Sequence, residues 1–283
     1  MHFERCSHTM SLLTDGNILV TGGFSLYDAY LDSVELFNPS TETWTVLGSM
    51  SFPRYRHTAS ILNDGRILIV GGWSGFQELD TVELYDPSNQ SWTLTSSLRY
   101  RRQAHTATVL HDGQVLIVGG YTQSMEIEFA ELYDPLTETW TITNDMNVSR
   151  SGHTASILIN SNVLVVGGFD GMNELNSVEL YDTSSKNWTI TSYMNSKRSE
   201  HTVSLLTNGK VLVTGGWDGT NELRTVEMYD PLTETWENMD SMTDTRKQHA
   251  ASVLANGAIL ITGGASQNIV LDSVELYDEI IIS

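Results

Sequence analysis

The sequence contains a single cysteine, few basic residues and no long apolar run. Because Cys6 is the one cysteine, an intrachain disulfide and a multi-cysteine zinc site are both excluded. No segment approaches the roughly 20 apolar residues of a membrane-spanning helix. The first residues also lack the basic start and apolar core of a secretory signal. We therefore expect a cytoplasmic protein with no membrane partner.

Positive charge is scarce as well. The chain has 15 lysines and arginines against 35 aspartates and glutamates, a formal net charge of −20. Proteins that bind nucleic acids do so largely by neutralising phosphates with basic side chains. We therefore expect no nucleic-acid partner.

The chain consists of one unit written six times. A Gly-Gly pair ends an apolar run in each unit, and successive pairs are 49 residues apart once and 48 residues apart four times. This period is in the range of propeller arrays. The pairs begin at Gly22, Gly71, Gly119, Gly167, Gly215 and Gly263. The arginines, histidines and glutamates that keep step with them are Arg5, Arg54, Arg102, Arg150, Arg198, Arg246, His8, His57, His105, His153, His201, His249, Glu35, Glu83, Glu131, Glu179, Glu227 and Glu275.

Each unit predicts four short strands. In the second copy, small and β-favouring residues at 57–62 are followed by an Asp-Gly turn, which is a strong hairpin signal. The run 66–70, which is continuously apolar after Arg66, predicts a strand covered on both faces, and residues 81–85 alternate with period two. Trp92 begins a fourth strand. Because one sheet cannot bury both its faces alone, we expect the six sheets to stack as blades.

These residues resemble the kelch repeat. The resemblance rests on the double glycine, the aromatic pair of the Tyr85 and Trp92 type, and the approach to each blade represented by Met50, Arg54 and His57. It covers essentially the whole chain and implies an all-β fold: a six-bladed kelch β-propeller with four antiparallel strands per blade, forming a single domain over 1–283. The expected blades span approximately 5–48, 54–96, 102–144, 150–192, 198–240 and 246–283.

The sixth unit departs from this pattern. Its tryptophan would fall one position beyond Ser283, and residues 279–283 do not resemble the outer strand of any other blade. We therefore expect blade six to lack its outer strand. An unpaired strand edge is prone to pair with another chain, so association through blade six stays open for an otherwise monomeric protein.

The residues that recur in every blade are expected to be structural. One histidine per blade suits packing or hydrogen bonding better than metal ligation, because a six-fold set is wider than a metal shell. The arginines and glutamates are predicted to form blade-to-blade pairs, partly buried and bidentate. We therefore predict no metal site and no cofactor.

Function is expected where the copies differ, in the loops after the double glycines and the loops between blades. In the kelch subunits that recruit substrates to ubiquitin ligases, these loops hold acidic peptides through arginines. Arg56 resembles one of those arginines. The later blades have Ala104, Gly152, Glu200 and Gln248 at the same place, so most of that basic set is absent.

A second group of arginines stands in the loop 99–103. Together with Arg54 and Arg56 it holds one third of all basic residues, next to tyrosines that offer directional contacts. We predict that this face binds an acidic segment of a protein or peptide, the alternative being a solvated patch of weak charge pairs. The predicted partner-binding residues are Arg54, Tyr55, Arg56, Trp73, Arg99, Tyr100, Arg101, Gln103, Tyr121, Glu200, Trp217 and Gln248.

Other kelch functions fit less well. Copper-radical oxidases of this architecture need a cysteine near two additional histidines, and the iron-dependent specifier proteins need a Glu, Asp and His run that this sequence lacks. An isomerase similar to the sialic-acid mutarotases stays open, with Arg56 and Glu200 in an axial pocket. A structural, oligomer-building ring is a third alternative. We therefore predict a non-catalytic binding module for a protein or peptide.

Overall fold

The computed structural model describes residues 1–267 and 269–278, and every regular element among them is a β-strand. The chain divides into two compact units, Met1–Thr143 and Asn144–Ser283. Each unit contains three antiparallel sheets in which neighbouring strands follow one another along the chain. These sheets are the blades of a six-bladed β-propeller, so the predicted fold class is confirmed.

The first unit holds three four-stranded sheets and two small hairpins. The first sheet comprises β1 (Thr9–Leu12), β2 (Ile18–Thr21), β5 (Val34–Asn38) and β6 (Thr43–Val46). The second sheet comprises β7 (Thr58–Ile61), β8 (Ile67–Val70), β9 (Val82–Asp86) and β10 (Ser91–Leu94). The third sheet comprises β11 (Thr106–Val109), β12 (Val115–Val118), β15 (Ala130–Asp134) and β16 (Thr139–Ile142). The hairpins are formed by β3 (Phe24–Ser25) with β4 (Ala29–Tyr30) and by β13 (Tyr121–Thr122) with β14 (Met125–Glu126).

The second unit repeats this plan. Its first sheet comprises β17 (Thr154–Ile157), β18 (Val163–Val166), β19 (Val178–Asp182) and β20 (Asn187–Ile190). The next comprises β21 (Thr202–Leu205), β22 (Val211–Thr214), β23 (Val226–Asp230) and β24 (Thr235–Met239). The last comprises β25 (Ala250–Val253), β26 (Ile259–Thr262) and β29 (Val274–Tyr277), beside a hairpin of β27 (Ala265–Ser266) and β28 (Ile269–Val270).

The core of each unit lies between successive sheets. Strand β8 is fully buried along its length, as its continuous apolar sequence predicts. One face of the second sheet, including Leu68 and Val82, packs on Ile117 and Tyr133 of the third. The repeated tryptophans add hydrogen bonds between blades. Trp92 Nε1 of the second blade donates to the carbonyl of Gly48 in the first blade at 2.9 Å.

The repeated histidines also join neighbouring sheets. His57 is buried, and its Nε2 lies 3.0 Å from Thr9 Oγ1 and 3.1 Å from Thr21 Oγ1. In the second unit, His249 contacts Thr202 in the same way at 2.9 Å. The predicted packing and hydrogen-bonding role is confirmed for these two residues.

The double glycines allow two backbones to approach closely. Gly22 has φ +60°, and a Cβ built on it would lie 2.5 Å from the carbonyl oxygen of Arg54 and 2.8 Å from Cε1 of His57. The left-handed backbone favours glycine, and the close contacts leave no space for a side chain. The repeat therefore keeps glycine at this position for a packing reason.

The repeated arginines and glutamates pair as predicted, but within a blade. Arg54 precedes β7, and its Nη2 lies 2.9 Å from Oε1 of Glu83 on β9 of the same sheet. The pair is fully buried and uses a single carboxylate oxygen, because Glu83 Oε2 accepts the backbone N–H of Ser51. The prediction of blade-to-blade, partly buried, bidentate pairs is therefore wrong. Arg54 also donates to the carbonyls of Gly71 and Thr81, which hold it inside its own repeat.

The last sheet differs from the others. Among the described residues it has three strands, and residues 279–283, where we predict no outer strand, lie outside that part of the chain. Its Val274 and Leu276 are 59 % and 55 % exposed, whereas Val226 and Met228 at the same positions of the preceding sheet are 1 % and 2 % exposed. Val226 and Met228 pack on Ile259 and Ile261 of the last sheet, which accounts for their lower exposure.

Candidate functional site

A groove of about 530 Å³ lies at the loop end of the first unit. It takes residues from the loops after the double glycines of all three sheets and from the segments that approach β7 and β11. Its lining combines five aromatic rings with amide, hydroxyl and charged groups. The lining residues are Tyr30, Tyr55, Trp73, Phe76, Gln77, Glu78, Arg101, Gln103, Tyr121, Gln123 and Ser124.

Backbone pairs outside the main sheets hold these side chains in place. Tyr55 and Trp73 exchange two hydrogen bonds, of 3.0 and 2.8 Å, and Trp73 bridges in turn to Glu78. Gln103 and Tyr121 are paired in the same way, at 3.1 and 2.9 Å. These backbone pairs fix the positions of four groove residues, although most residues of the groove belong to loops.

Aromatic rings form one side of the groove. Tyr30 and Tyr55 meet edge to face with their centroids 6.1 Å apart, and Phe24 packs behind them at 5.3 Å from Tyr30. Gly75 lies against the ring of Tyr30, where an added Cβ would come within 2.5 Å of Cδ2. The position of the Tyr30 ring therefore depends on a glycine in the neighbouring loop.

Two charged groups of opposite sign face the groove. Arg101 is half-buried; its Nη1 donates to Oε1 of Gln77 at 2.9 Å, and its Nη2 lies 3.7 Å from the carboxylate of Asp80. Glu78 is 7 % exposed. The arrangement can accommodate apolar and polar parts of a ligand together.

The groove gathers five of the predicted partner-binding residues. They are Tyr55, Trp73, Arg101, Gln103 and Tyr121. Arg54 does not belong with them, since it is fully buried and paired with Glu83. Its assignment to the binding face is therefore wrong: the repeat arginine stabilises its blade and presents no charge to a partner.

The other predicted residues of the first unit lie outside the groove lining. Arg56 is exposed and lies 5.3 Å from the ring centroid of Tyr55. Arg99 is also exposed, 5.6 Å from the ring of Tyr100. That ring stacks on Phe129 at 4.2 Å, so Tyr100 is partly committed to packing.

Arg56 belongs to a set of residues with left-handed backbone. Arg56 and Ala104 have φ of +54° and +52°. Each donates its N–H to the carbonyl at the same position of the preceding blade: Arg56 to Ser7 at 3.3 Å and Ala104 to Arg56 at 3.0 Å. This backbone chain was not predicted, because neither arginine nor alanine signals a positive φ.

The predicted residues of the second unit form separate contacts. Glu200 accepts the side-chain amide of Gln248 at 2.7 Å and the Gln248 backbone N–H at 2.9 Å. The Nζ atom of Lys247 lies 4.2 Å from the ring centroid of Trp217 and 3.4 Å from Oε1 of Glu222. Trp217 is thus already in contact with a cation.

The largest pKa changes fall on the histidines that join the blades. Burial, with added repulsion from Arg54 and His8, lowers the pKa of His57 to about 3. Burial and then the charge of Arg246 lower the pKa of His249 to about 4. These histidines are neutral at pH 7 and join neighbouring sheets through hydrogen bonds to threonine hydroxyls.

Six lining residues were not singled out by the sequence. They are Tyr30, Phe76, Gln77, Glu78, Gln123 and Ser124. All of them belong to the variable loops after the double glycines, which is the signal that could have identified them. Within residues 1–267 and 269–278, no three His, Cys, Asp or Glu side chains are grouped to hold a metal ion. The same residues include no helix with the length and apolar character needed to cross a membrane.

Comparison with known families agrees with the repeat geometry. A model of the KLHDC2/KLHL20/DRC7 Kelch-repeats domain matches residues 2–147 and again residues 104–279. No curated protein sequence matches the chain. The two family matches together span nearly all of the chain, and their repeat is the one that forms the six sheets. The chain belongs to the kelch-repeat family.

Proposed function

We propose that this kelch domain binds a peptide segment of a partner protein in the groove of its first unit. Kelch domains generally mediate protein interactions, and the groove has the volume and mixed lining of a ligand site. The observation that carries the proposal is the convergence of five aromatic side chains on one groove, where backbone pairs hold Tyr55, Trp73 and Tyr121. Aromatic residues are the commonest anchors of protein interfaces because they offer large contact area and lose little conformational entropy.

The exposed arginines at this face favour a bound segment that contains an acidic residue. Arg54 and Arg102 are buried in ion pairs, which leaves Arg56, Arg99 and Arg101 as the arginines of the two loops that solvent reaches. A carboxylate at Arg101 would replace the neutral amide of Gln77 as the acceptor of a guanidinium hydrogen bond. Charge-assisted hydrogen bonds of this type are stronger than neutral ones.

The proposal is tested by selecting peptides from a random display library on the immobilised full chain. Peptides selected by the native chain should bind the double variant Tyr55→Ala/Tyr121→Ala at least about tenfold more weakly, because two groove rings are removed. Tyr193→Ala, which removes a tyrosine exposed by 55 % in the second unit, is the matched control and should bind normally. Equal loss in both variants, or none in either, overturns the assignment of the groove.

The acidic preference has its own test. The triple variant Arg56→Ala/Arg99→Ala/Arg101→Ala should select peptides with fewer aspartates and glutamates than the native chain. An unchanged set of selected peptides would reject the role of the arginines while leaving the groove intact.

A second candidate role is association of two copies through blade six. Val274 and Leu276 of the sixth sheet are 59 % and 55 % exposed, and Met10 and Leu12 of the first sheet are 66 % and 64 % exposed. At the position of Met10, Ala59 of the second sheet packs on the first sheet, and at both positions Ala107 and Val109 of the third sheet pack on the second. A second copy therefore offers a matching face.

Sedimentation equilibrium tests this second role. The native chain should dimerise or form longer assemblies with rising concentration, and Leu276→Asp should shift the chain to monomer. A native chain that stays monomeric at every concentration would exclude it. No observation favours the mutarotase-like alternative, and Glu200, which it would place in the pocket, accepts a hydrogen bond from Gln248.

A further inference from the structure

Three positions recur where the loop after a double glycine meets the segment that approaches the next blade. We call them the rim triad. In the fifth blade the triad is Trp217, Glu222 and Lys247. Three repeats earlier, the second blade has Trp73, Glu78 and Gln103 at the same positions.

The fifth-blade triad binds an ammonium group of the chain itself. Lys247 Nζ lies 4.2 Å from the ring centroid of Trp217 and 3.4 Å from Oε1 of Glu222. The ring quadrupole and the carboxylate both attract this cation. The pKa of Glu222 is lowered by a hydrogen bond from its own backbone N–H and further by Lys247, as expected for a carboxylate beside a cation.

The backbone frame of the second-blade triad is the same. Trp73 donates its N–H to Tyr55 at 2.8 Å, and Trp217 donates to the equivalent Ser199 at 2.8 Å. Each tryptophan also bridges to its glutamate, Glu78 or Glu222. The ring and the carboxylate are therefore presented on matching backbone in both blades.

The second-blade triad has no cation of its own. Gln103 takes the place of the lysine, and no lysine or arginine of the described residues forms an ion pair with Glu78. Glu78 is nonetheless 7 % exposed, and all three triad residues line the groove. A carboxylate and a tryptophan ring that line the same groove both attract a cation.

We propose that Trp73 and Glu78 form a seat for an ammonium group, which a lysine side chain of the bound segment supplies. This inference rests on the proposed function, since the segment is the one that occupies the groove. Lys247 of the fifth blade shows the contact that the ligand lysine makes. The bound segment then carries a lysine at Trp73 and an acidic residue at Arg101.

The seat is tested with Nα-acetyl-lysine amide on the full chain labelled with ¹⁵N. The seven tryptophans have separate indole N–H groups, and Trp73→Phe identifies the signal of Trp73. That signal should shift saturably with the lysine probe and shift much less with Nα-acetyl-norleucine amide, which has similar length and no charge. Failure of the Trp73 signal to shift, or an equal shift with norleucine, overturns the proposal.

Two exchanges between the triads serve as matched variants. Gln103→Lys places the chain's own ammonium in the seat and should abolish the response of Trp73. Lys247→Gln empties the fifth-blade triad and should make the Trp217 signal respond to the probe. Unshifted signals of the other tryptophans show that each variant is folded. Glu78→Gln should weaken the probe at least about fivefold, and undiminished binding by Gln103→Lys would contradict the seat.

The outcome separates this inference from the proposed function. If selected peptides bind the groove and the probe leaves Trp73 unaffected, the ammonium seat is wrong and the peptide site stands. If the probe binds at Trp73 and no peptide depends on Tyr55 and Tyr121, the seat stands as a site for amines and the peptide function fails.

Discussion

The guanidinium of Arg54 and the carboxylate of Glu83 lie 2.9 Å apart, with both side chains fully buried. Taking two charges out of water costs several kcal/mol per ion, and the pair offsets this cost only while both members are present. The carbonyls of Gly71 and Thr81 and the N–H of Ser51 satisfy the remaining hydrogen-bonding groups. The pair therefore links the segment before β7, which carries Arg54, to β9, the third strand of the same sheet.

Neutralising one member should destabilise the protein strongly. Glu83→Gln leaves the Arg54 charge buried without a counter-ion, and we expect the free energy of unfolding to fall by about 3–5 kcal/mol. Urea unfolding measures this change. Asp64→Asn is the control, because Asp64 pairs with Arg66 at 2.7 Å in an exposed position. It should cost at most about 1 kcal/mol, and equal effects of the two changes would contradict the buried-pair account.

Stability should fall below pH 6.5. The folded protein keeps His57 neutral down to about pH 3, whereas an unfolded histidine takes up a proton near its ordinary pKa of 6.5. Between these values the unfolded state binds more protons. The contribution of His57 is therefore full above pH 6.5 and is lost as the pH falls toward 3, at up to about 1.4 kcal/mol per pH unit.

Urea unfolding at pH 7, 6 and 5 checks this dependence. His57→Gln should flatten the loss of stability between pH 6.5 and 5, since the titrating group is removed. His111→Gln, at an exposed position, should keep the native slope. A His57→Gln variant with the native pH dependence would show that this histidine does not carry the effect.

A methyl group at the first glycine of a pair should be poorly tolerated. In Gly22→Ala the new Cβ would lie 2.5 Å from the Arg54 carbonyl oxygen, at φ +60°. We expect a loss of more than about 3 kcal/mol, from backbone strain together with the clash. Gly16→Ala has φ +82° with no atom within 4 Å, and its loss should stay near about 1 kcal/mol. Thermal or urea unfolding of both variants measures these losses. The loss in Gly16→Ala reports backbone strain alone, and the additional loss in Gly22→Ala reports the clash.

The leucine of the third strand should contribute strongly to stability in blade two, where it is Leu84, and little in blade six, where it is Leu276. Leu84 is 2 % exposed and Leu276, at the same place in its repeat, is 55 % exposed. Leu84→Ala should lower the free energy of unfolding by about 2–5 kcal/mol. Leu276→Ala should lower it by less than about 1 kcal/mol at concentrations where the chain is monomeric. A large loss at Leu276 would indicate that its face is covered in solution.

The strand pattern could be predicted closely because it depends on local residues. The apolar run at β8, the Asp-Gly turn before it and the alternation along β9 each act within a few positions. The small hairpin β3–β4 was predicted only as a loop, because strands of two residues are too short to show an alternating pattern. The positive φ of Arg56 and Ala104 was missed because contacts with the neighbouring blade impose it.

The candidate site could be predicted in part. Tyr55, Trp73, Arg101, Gln103 and Tyr121 were identified, since they stand in loops that differ between repeats. The arginines could not be separated by type alone. Arginines in the same loops differ in burial: Arg54 is fully buried, whereas Arg56 is exposed. This difference depends on where each residue lies in the folded repeat.

The sequence by itself determined the number of blades, the strands within them and the residues that each blade must keep. Such features follow from spacing and from local conformational preference, which every copy repeats. Only the tertiary structure decided that Arg54 is buried in an ion pair with Glu83, that Tyr30 and Glu78 line the groove, and that the Lys247 ammonium contacts the ring of Trp217. Those facts depend on contacts between segments that are distant along the chain, and such side chains meet only after each sheet has formed and neighbouring sheets have packed.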